Sequence, residues 1–180
     1  MTVRALRTAE DLALSNAFRT LFDEELVHVC RTLRRLGVAE RDLDDAAQEV
    51  FVAVHGRFHE FDPSRPARPW LTAFAYRTAS NYRRLARHRH ERVEEPDPSI
   101  VDENAERRSR QYEARSVLLR LLDELPVGRR DVLVLHDVEG IDAAQIAELL
   151  ALPVNTVYSR LRVARAELEQ LAKSLEEASR

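Results

Sequence analysis

The chain has a single cysteine among its 180 residues, and this limits its chemistry. Cys30 has no partner within the chain, so no internal disulfide can form. A lone thiol set in an apolar helical pattern reads as a buried structural side chain in a reducing cytoplasm. No apolar run approaches the roughly 20 residues of a membrane span. The first residues lack the continuous apolar segment of a signal peptide. A soluble, cytoplasmic protein without membrane contact is predicted. Glycine is also scarce, with four residues, while Ala, Leu, Arg and Glu abound. That bias predicts an all-α fold. There is no Gly-rich phosphate loop, no nucleophile–base pair and no inward Glu-x-x-His pair. Nothing therefore marks an enzyme, a small-molecule substrate or a cofactor. His55 and His59, four apart, could share a metal, but no third ligand is near them in sequence.

Apolar periodicity divides what is present into two small helical domains. The first spans residues 9–90. Phe18, Leu21, Phe22, Leu26, Val29, Leu33 and Leu36 recur at three- and four-residue steps, and Gly37 is placed to end that helix. A second helix runs from Asp42 or Asp44 to about Phe58, with Ala47, Val50, Phe51 and Val54 on its apolar face. Three prolines between Phe61 and Pro69 require a loop. Pro69 suits the first position of a third helix, Trp70 to Arg89, whose inward face is Leu71, Phe74, Ala75, Thr78, Tyr82 and Leu85. Residues 91–112 hold Glu94, Glu95, Pro96, Asp97, Pro98, Asp102 and Glu103 and read as a flexible acidic linker.

The second domain, 113–176, opens with Val117, Leu118, Leu121, Leu122 and Leu125 before Pro126, then a short helix from Arg129 to Asp137. Its end is the most informative stretch. Asp142 is an N-cap with Gln145 three residues on, the spacing of a capping box. Ile146, Leu149 and Leu150 form one apolar face, and Leu152-Pro153 stops the helix. Asn155 or Thr156 is placed to cap the next helix, with Val157, Leu161, Ala164 and Leu168 inward. Asn155, Thr156, Tyr158, Ser159, Arg160, Arg162 and Arg165 lie largely off that stripe. Two helices joined by a tight turn, the second carrying polar and cationic residues, fit a helix-turn-helix (winged-helix-like) domain that sets one helix in the DNA major groove.

The net charge of −3 does not advertise a nucleic-acid binder, so the local distribution decides. From Arg65 to Arg92 there are eight arginines against Glu91, a net of +7 within a chain of net −3. Such a stripe is the electrostatic footprint of phosphate binding. Trp70, Phe74, Tyr76 and Tyr82 are interleaved with it, and rings beside guanidinium groups suit single-stranded nucleic acid. Phe74 and Tyr82 fall on the inward face and read as core. Tyr76 fits either role, and Trp70 serves partly as both. Just upstream, Asp42, Asp44, Asp45 and Glu49 give one helix an acidic face, which is either solvated or meets a basic partner protein.

Taken in order, these features resemble the bacterial sigma factors, in their short two-domain extracytoplasmic-function group. The resemblance rests on Asp44-Asp45-Ala-Ala-Gln48-Glu49-Val-Phe51, on Phe58 and Phe61 followed by Trp70-Leu71, Phe74-Ala75 and an arginine-rich run, and on Leu122, Leu125-Pro126 and Arg130. It continues through Gln145-Ile146-Ala147 and Thr156-Val157, Ser159-Arg160-Leu161 and Ala164-Arg165. The resemblance implies that Asp44, Asp45, Gln48 and Glu49 dock on core RNA polymerase. It implies that Arg68, Trp70, Tyr76, Arg77, Asn81, Arg83, Arg84 and Arg87 melt and hold the proximal promoter element. The helix from Asn155 to Arg165 would read the distal element, the linker would thread through polymerase channels, and an anti-sigma protein would be a further partner. The chain departs from the family pattern at Arg77, Asn81, Ala151, Asn155 and Val163. Those departures bear on which promoter is read more than on the function. The competing reading is a free-standing helix-turn-helix regulator acting without polymerase. The first domain separates the two, because a simple regulator needs no acidic docking helix beside an aromatic–cationic one.

Overall fold

The computed structural model describes residues 9–89 and 105–178, and all regular structure among them is helical. Three helices form the first unit: α1 (Ala9–Arg35), α2 (Leu43–Gly56) and α3 (Ala67–Arg89). Each packs against the other two. Leu33, Leu36, Val50, Val54 and Leu71 meet at the centre with almost no exposure. Each such side chain contributes about 1.5–3 kcal/mol of hydrophobic stabilisation. α1 ends in a Schellman turn: Val38 N–H bonds to the Leu33 carbonyl, Gly37 N–H to that of Arg34, and Gly37 takes φ +90°.

α3 begins at Ala67, before the expected Trp70, so Pro69 is third in the helix rather than first. Its missing N–H costs nothing there, since first-turn donors have no intrahelical acceptor. Leu85, expected to face inward, is instead exposed, on the open groove between α2 and α3.

The second unit contains α4 (Ala105–Glu124), α5 (Val127–Leu133), α6 (Ala143–Leu150) and α7 (Val154–Ala178). α4 starts at Ala105, so helix reaches eight residues into the span expected as linker. Glu106, Arg107, Arg108, Arg110 and Gln111 are strong helix formers. The remainder of that span up to residue 104 lies outside the described residues. A π-turn, Val134–Val138, follows α5, with Glu139 N–H bonded to the Val134 carbonyl. A compact core of Val132, Leu135, Ile141, Ile146, Val157 and Leu161 holds the helix-turn-helix.

Asp142 caps α6 as expected, its Oδ1 accepting from Ala144 N–H and Gln145 N–H at 2.9 Å each. The turn after α6 is another Schellman motif, with Leu152 N–H on the Ala147 carbonyl. Here the left-handed residue is Ala151, φ 52°, where glycine would be at ease. α7 starts earlier than expected. Thr156 and Val157 N–H both reach the Pro153 carbonyl, so Asn155 and Thr156 lie inside the first turn and neither is the cap.

The two units touch. Leu122, Leu125, Leu133, Val134 and Ala164 join the core of the first unit, and Tyr76 packs against both cores.

Candidate nucleic-acid interface

α2 buries Ala46, Ala47, Val50, Phe51 and Val54. The opposite face is left to Asp44, Asp45, Gln48 and Glu49, all exposed. Beside it, between α2 and α3, runs a groove of about 580 Å³ lined by Arg41, Asp45, Glu49, Asn81, Tyr82 and Leu85. Tyr82 closes its floor by donating to Asp42 at 2.6 Å, and burial together with that carboxylate holds the phenol above its usual pKa. Asn81, expected with the DNA-melting residues, thus sits in the groove of the acidic face. Its Oδ1 accepts from Arg84 at 2.8 Å.

An aromatic chain crosses the first unit. Phe58 stacks on Phe61 at 5.7 Å, Phe61 lies 5.1 Å from Trp70, and Trp70 meets Phe74 edge-on at 5.0 Å. Trp70 is half-buried among these rings. His55 packs edge-on against Phe18 at 4.8 Å, and no group of three metal-capable side chains occurs among the described residues. Cys30 is half-buried, and burial raises its thiol pKa.

The remaining α3 residues divide by helical face. Trp70, Arg77 and Arg84 recur every seven residues on one stripe, with Arg77 and Arg84 exposed. Arg68 is exposed and paired with Glu25 at 3.0 Å. Tyr76 and Arg83, also seven apart, lie on the neighbouring stripe, which the second unit covers. The Arg83 side chain is only 11% exposed. It donates to Asp131 at 2.9 Å and to the Leu36 carbonyl. Burial pushes the Tyr76 phenol up. In this arrangement those two residues are not available to nucleic acid. The Arg87 side chain lies outside the described residues.

On α7, Asn155, Tyr158, Ser159 and Arg162 are exposed, Tyr158 by 57%, and Thr156 is partly so. Their apolar counterparts Val157, Leu161 and Ala164 are buried, which fixes the polar row outward. Arg165 is held by Asp137 at 2.6 and 2.8 Å, and that pairing keeps the carboxyl of Asp137 below its usual pKa. Arg160 is half-buried beside Gly128.

A polar seam runs between the two units. Glu139 accepts from Thr32 Oγ1 at 2.9 Å and from Arg35 at 3.3 Å, and lies 3.4 Å from His28. Arg34 reaches Asp123 at 3.3 Å. Arg130 bonds Asp123 and rests on Gly37. Asp131 is pushed up to about 6 by burial, against the pull of Arg83, Arg130 and Arg160. No periodicity announces such a seam, because Asp131 and Glu139 each look like an ordinary surface acid in sequence.

Residues 21–89 match the family described as Sigma-70 region 2, and residues 115–168 match Sigma-70, region 4. The RNA polymerase sigma factor CnrH of Cupriavidus metallidurans is 32% identical over 174 residues, covering 86% of each chain. The ECF RNA polymerase sigma-E factor of Escherichia coli is 27% identical, covering 77% of this chain and 78% of its own. The structure of CnrH in complex with the cytosolic domain of CnrY superposes with a TM-score of 0.61 at 29% identity, over 89% of this chain and 90% of that one. RpoE in complex with the anti-sigma factor NepR from Bartonella quintana shares the fold, with a TM-score of 0.67 at 16% identity, over 87% and 97%.

Proposed function

We propose a division of labour among these surfaces whose premise is plain: the chain belongs to the sigma-70 family of RNA polymerase sigma factors, in its extracytoplasmic-function group. It is an alternative sigma factor that directs core RNA polymerase in promoter-specific transcription initiation, and sigma factors are initiation factors rather than catalysts. Its place of action is the cytoplasm.

The first unit docks on polymerase through Asp44, Asp45, Gln48 and Glu49. The supporting observation is that α2 buries Ala46, Ala47, Val50, Phe51 and Val54 in the core and leaves this acidic row exposed. Next to it, Arg68, Trp70, Arg77 and Arg84, joined by Tyr76, Arg83 and Arg87, hold the melted proximal element. Unstacking a base costs a few kcal/mol, and ring stacking with phosphate contacts offsets that cost. α7 enters the major groove and reads the distal element through Asn155, Thr156, Tyr158, Ser159 and Arg162. A bidentate arginine there discriminates guanine by about 1–3 kcal/mol. Arg160 and Arg165 join once their present neighbours release them. An anti-sigma protein is the further partner of this reading, and the CnrH relative was itself solved with the cytosolic domain of CnrY.

The test is a separation of functions. Asp45→Ala with Gln48→Ala is expected to weaken binding to core polymerase and leave distal-element recognition by the holoenzyme unchanged. Arg162→Ala is expected to do the reverse. Equal loss of polymerase affinity in both variants would refute the division.

A further inference from the structure

We propose that Asp137, on the π-turn, competes with DNA for Arg165 and so sets how tightly the chain holds the distal element. The inference rests on the reading of α7 as the helix that enters the major groove. Arg165 shares the outward row of Tyr158 and Arg162, at steps of four and three residues. It is the twelfth residue of α7, about 16 Å along the axis from Val154. A recognition helix reads bases with its N-terminal residues, in a groove about 12 Å wide. Arg165 therefore stands level with the flanking backbone, where a guanidinium group meets phosphate rather than a base edge.

A carboxylate already takes the place of that phosphate. Arg165 Nε donates to Asp137 Oδ2 at 2.8 Å and its Nη2 donates to Oδ1 at 2.6 Å, a two-point fork. His136 Nδ1 lies 2.7 Å from the same Oδ1 and helps to hold the carboxylate. The backbone beneath is anchored, because Val134 and Leu135 of the π-turn are buried. A carboxylate and a phosphate offer a guanidinium group the same pair of acceptors, so Asp137 and DNA are rivals for one cation. The pair is exchangeable because it is open to water: the Arg165 side chain is 53% exposed and that of Asp137 30%. An exposed ion pair is weak, and giving it up lowers affinity for DNA by roughly two- to fivefold. Asp137 thus acts as a brake on promoter binding without touching a base.

The test uses holoenzyme, core RNA polymerase loaded with the full chain, and duplex promoters that the wild-type holoenzyme selects from a random pool. Affinity is read across roughly 50–200 mM salt. Arg165→Gln is expected to weaken binding and to flatten the dependence of log affinity on log salt by about 0.9, the mark of one lost phosphate contact. Asp137→Asn is expected to bind roughly two- to fivefold tighter, a direction that damage to the fold does not give. On top of Arg165→Gln, the same aspartate change should add little. Unchanged or weaker binding by Asp137→Asn would overturn the proposal. An equal gain with and without Arg165 would overturn it too, since the carboxylate would then act only as a distant charge. Should the amide disturb the π-turn, Asp137→Ser gives up the same fork and is held to the same outcome. Failure of the underlying reading of α7 looks different: Arg162→Ala would then leave affinity for the selected duplexes unchanged.

Discussion

Two glycines allow the contact between the units to be weighed. Gly37 and Gly140 both take positive φ, +90° and +70°. An L side chain pays about 1–2 kcal/mol in that region, and roughly 0.4–1 kcal/mol returns because alanine restricts the unfolded chain. Gly140→Ala should therefore cost about 1 kcal/mol, since nothing lies within 4 Å of the added methyl. Gly37→Ala meets a second obstacle. Its methyl would overlap the Arg130 guanidinium, and that group is not a loose tip. It is buried and bonded to the Asp123 carbonyl at 2.9 Å and carboxylate at 3.1 Å. Displacing it forfeits one charge-assisted hydrogen bond, about 1.5–3 kcal/mol. The total for Gly37→Ala is then roughly 3 kcal/mol. At about 2–4 °C per kcal/mol for a chain of this size, the melting point should fall by around 10 °C, against about 3 °C for Gly140→Ala. Thermal unfolding of both variants, alone and with Arg130→Ala, gives the assay. In the Arg130→Ala background the cost of Gly37→Ala should shrink toward that of Gly140→Ala. An undiminished cost in that background would refute the contact.

Three further outcomes follow from local geometry. Asp142→Ala removes both cap bonds of an eight-residue helix and should cost about 1 kcal/mol, while Asp142→Asn keeps most of it; equal melting points for wild type and Asp142→Ala would contradict this. Ala151→Gly should stabilise by about 0.5–1 kcal/mol by relieving a left-handed alanine, and no gain in a denaturant titration would show the turn to be relaxed already. Asp131 gives a pH signature. Its folded pKa of about 6 lies above the ordinary 3.8, so its contribution is fully present below pH 3.8 and is lost as pH rises through 6. Between pH 7.5 and pH 5 that amounts to a gain of about 1.4 kcal/mol from this group. His28, with its pKa lowered by burial, opposes it, losing stability as pH falls below 6.5. The difference between wild type and Asp131→Asn isolates the aspartate, and parallel stability profiles would count against its burial.

Much of this molecule is legible in one dimension because helices bury stripes. The recurrence of Leu33 and Leu36, of Val50 and Val54, and of Val157, Leu161 and Ala164 identified core residues that are buried. The acidic row of α2 and the polar row of α7 were readable as what those stripes leave over. Boundaries were less legible where local chemistry decides by a single residue. Pro69 is tolerated anywhere in a first turn, so it marks a helix start only within about two residues. The Glu/Arg-rich stretch after Ala105 has the composition of either a solvated linker or a charged helix, and it belongs to α4. What had no signal was the pairing of units. Arg83 reads as one more cation in a basic stripe, and only its burial against Asp131 shows it engaged elsewhere. Ion pairs between residues 48 and 104 positions apart leave no trace in periodicity.

The most direct test of the central claim is reconstituted transcription: core RNA polymerase, a promoter library, and this chain supplied or withheld. Selective transcripts that appear only with the chain, from templates sharing a distal and a proximal element, are the predicted result. A folded chain that neither joins the core enzyme nor changes which templates are transcribed would contradict it.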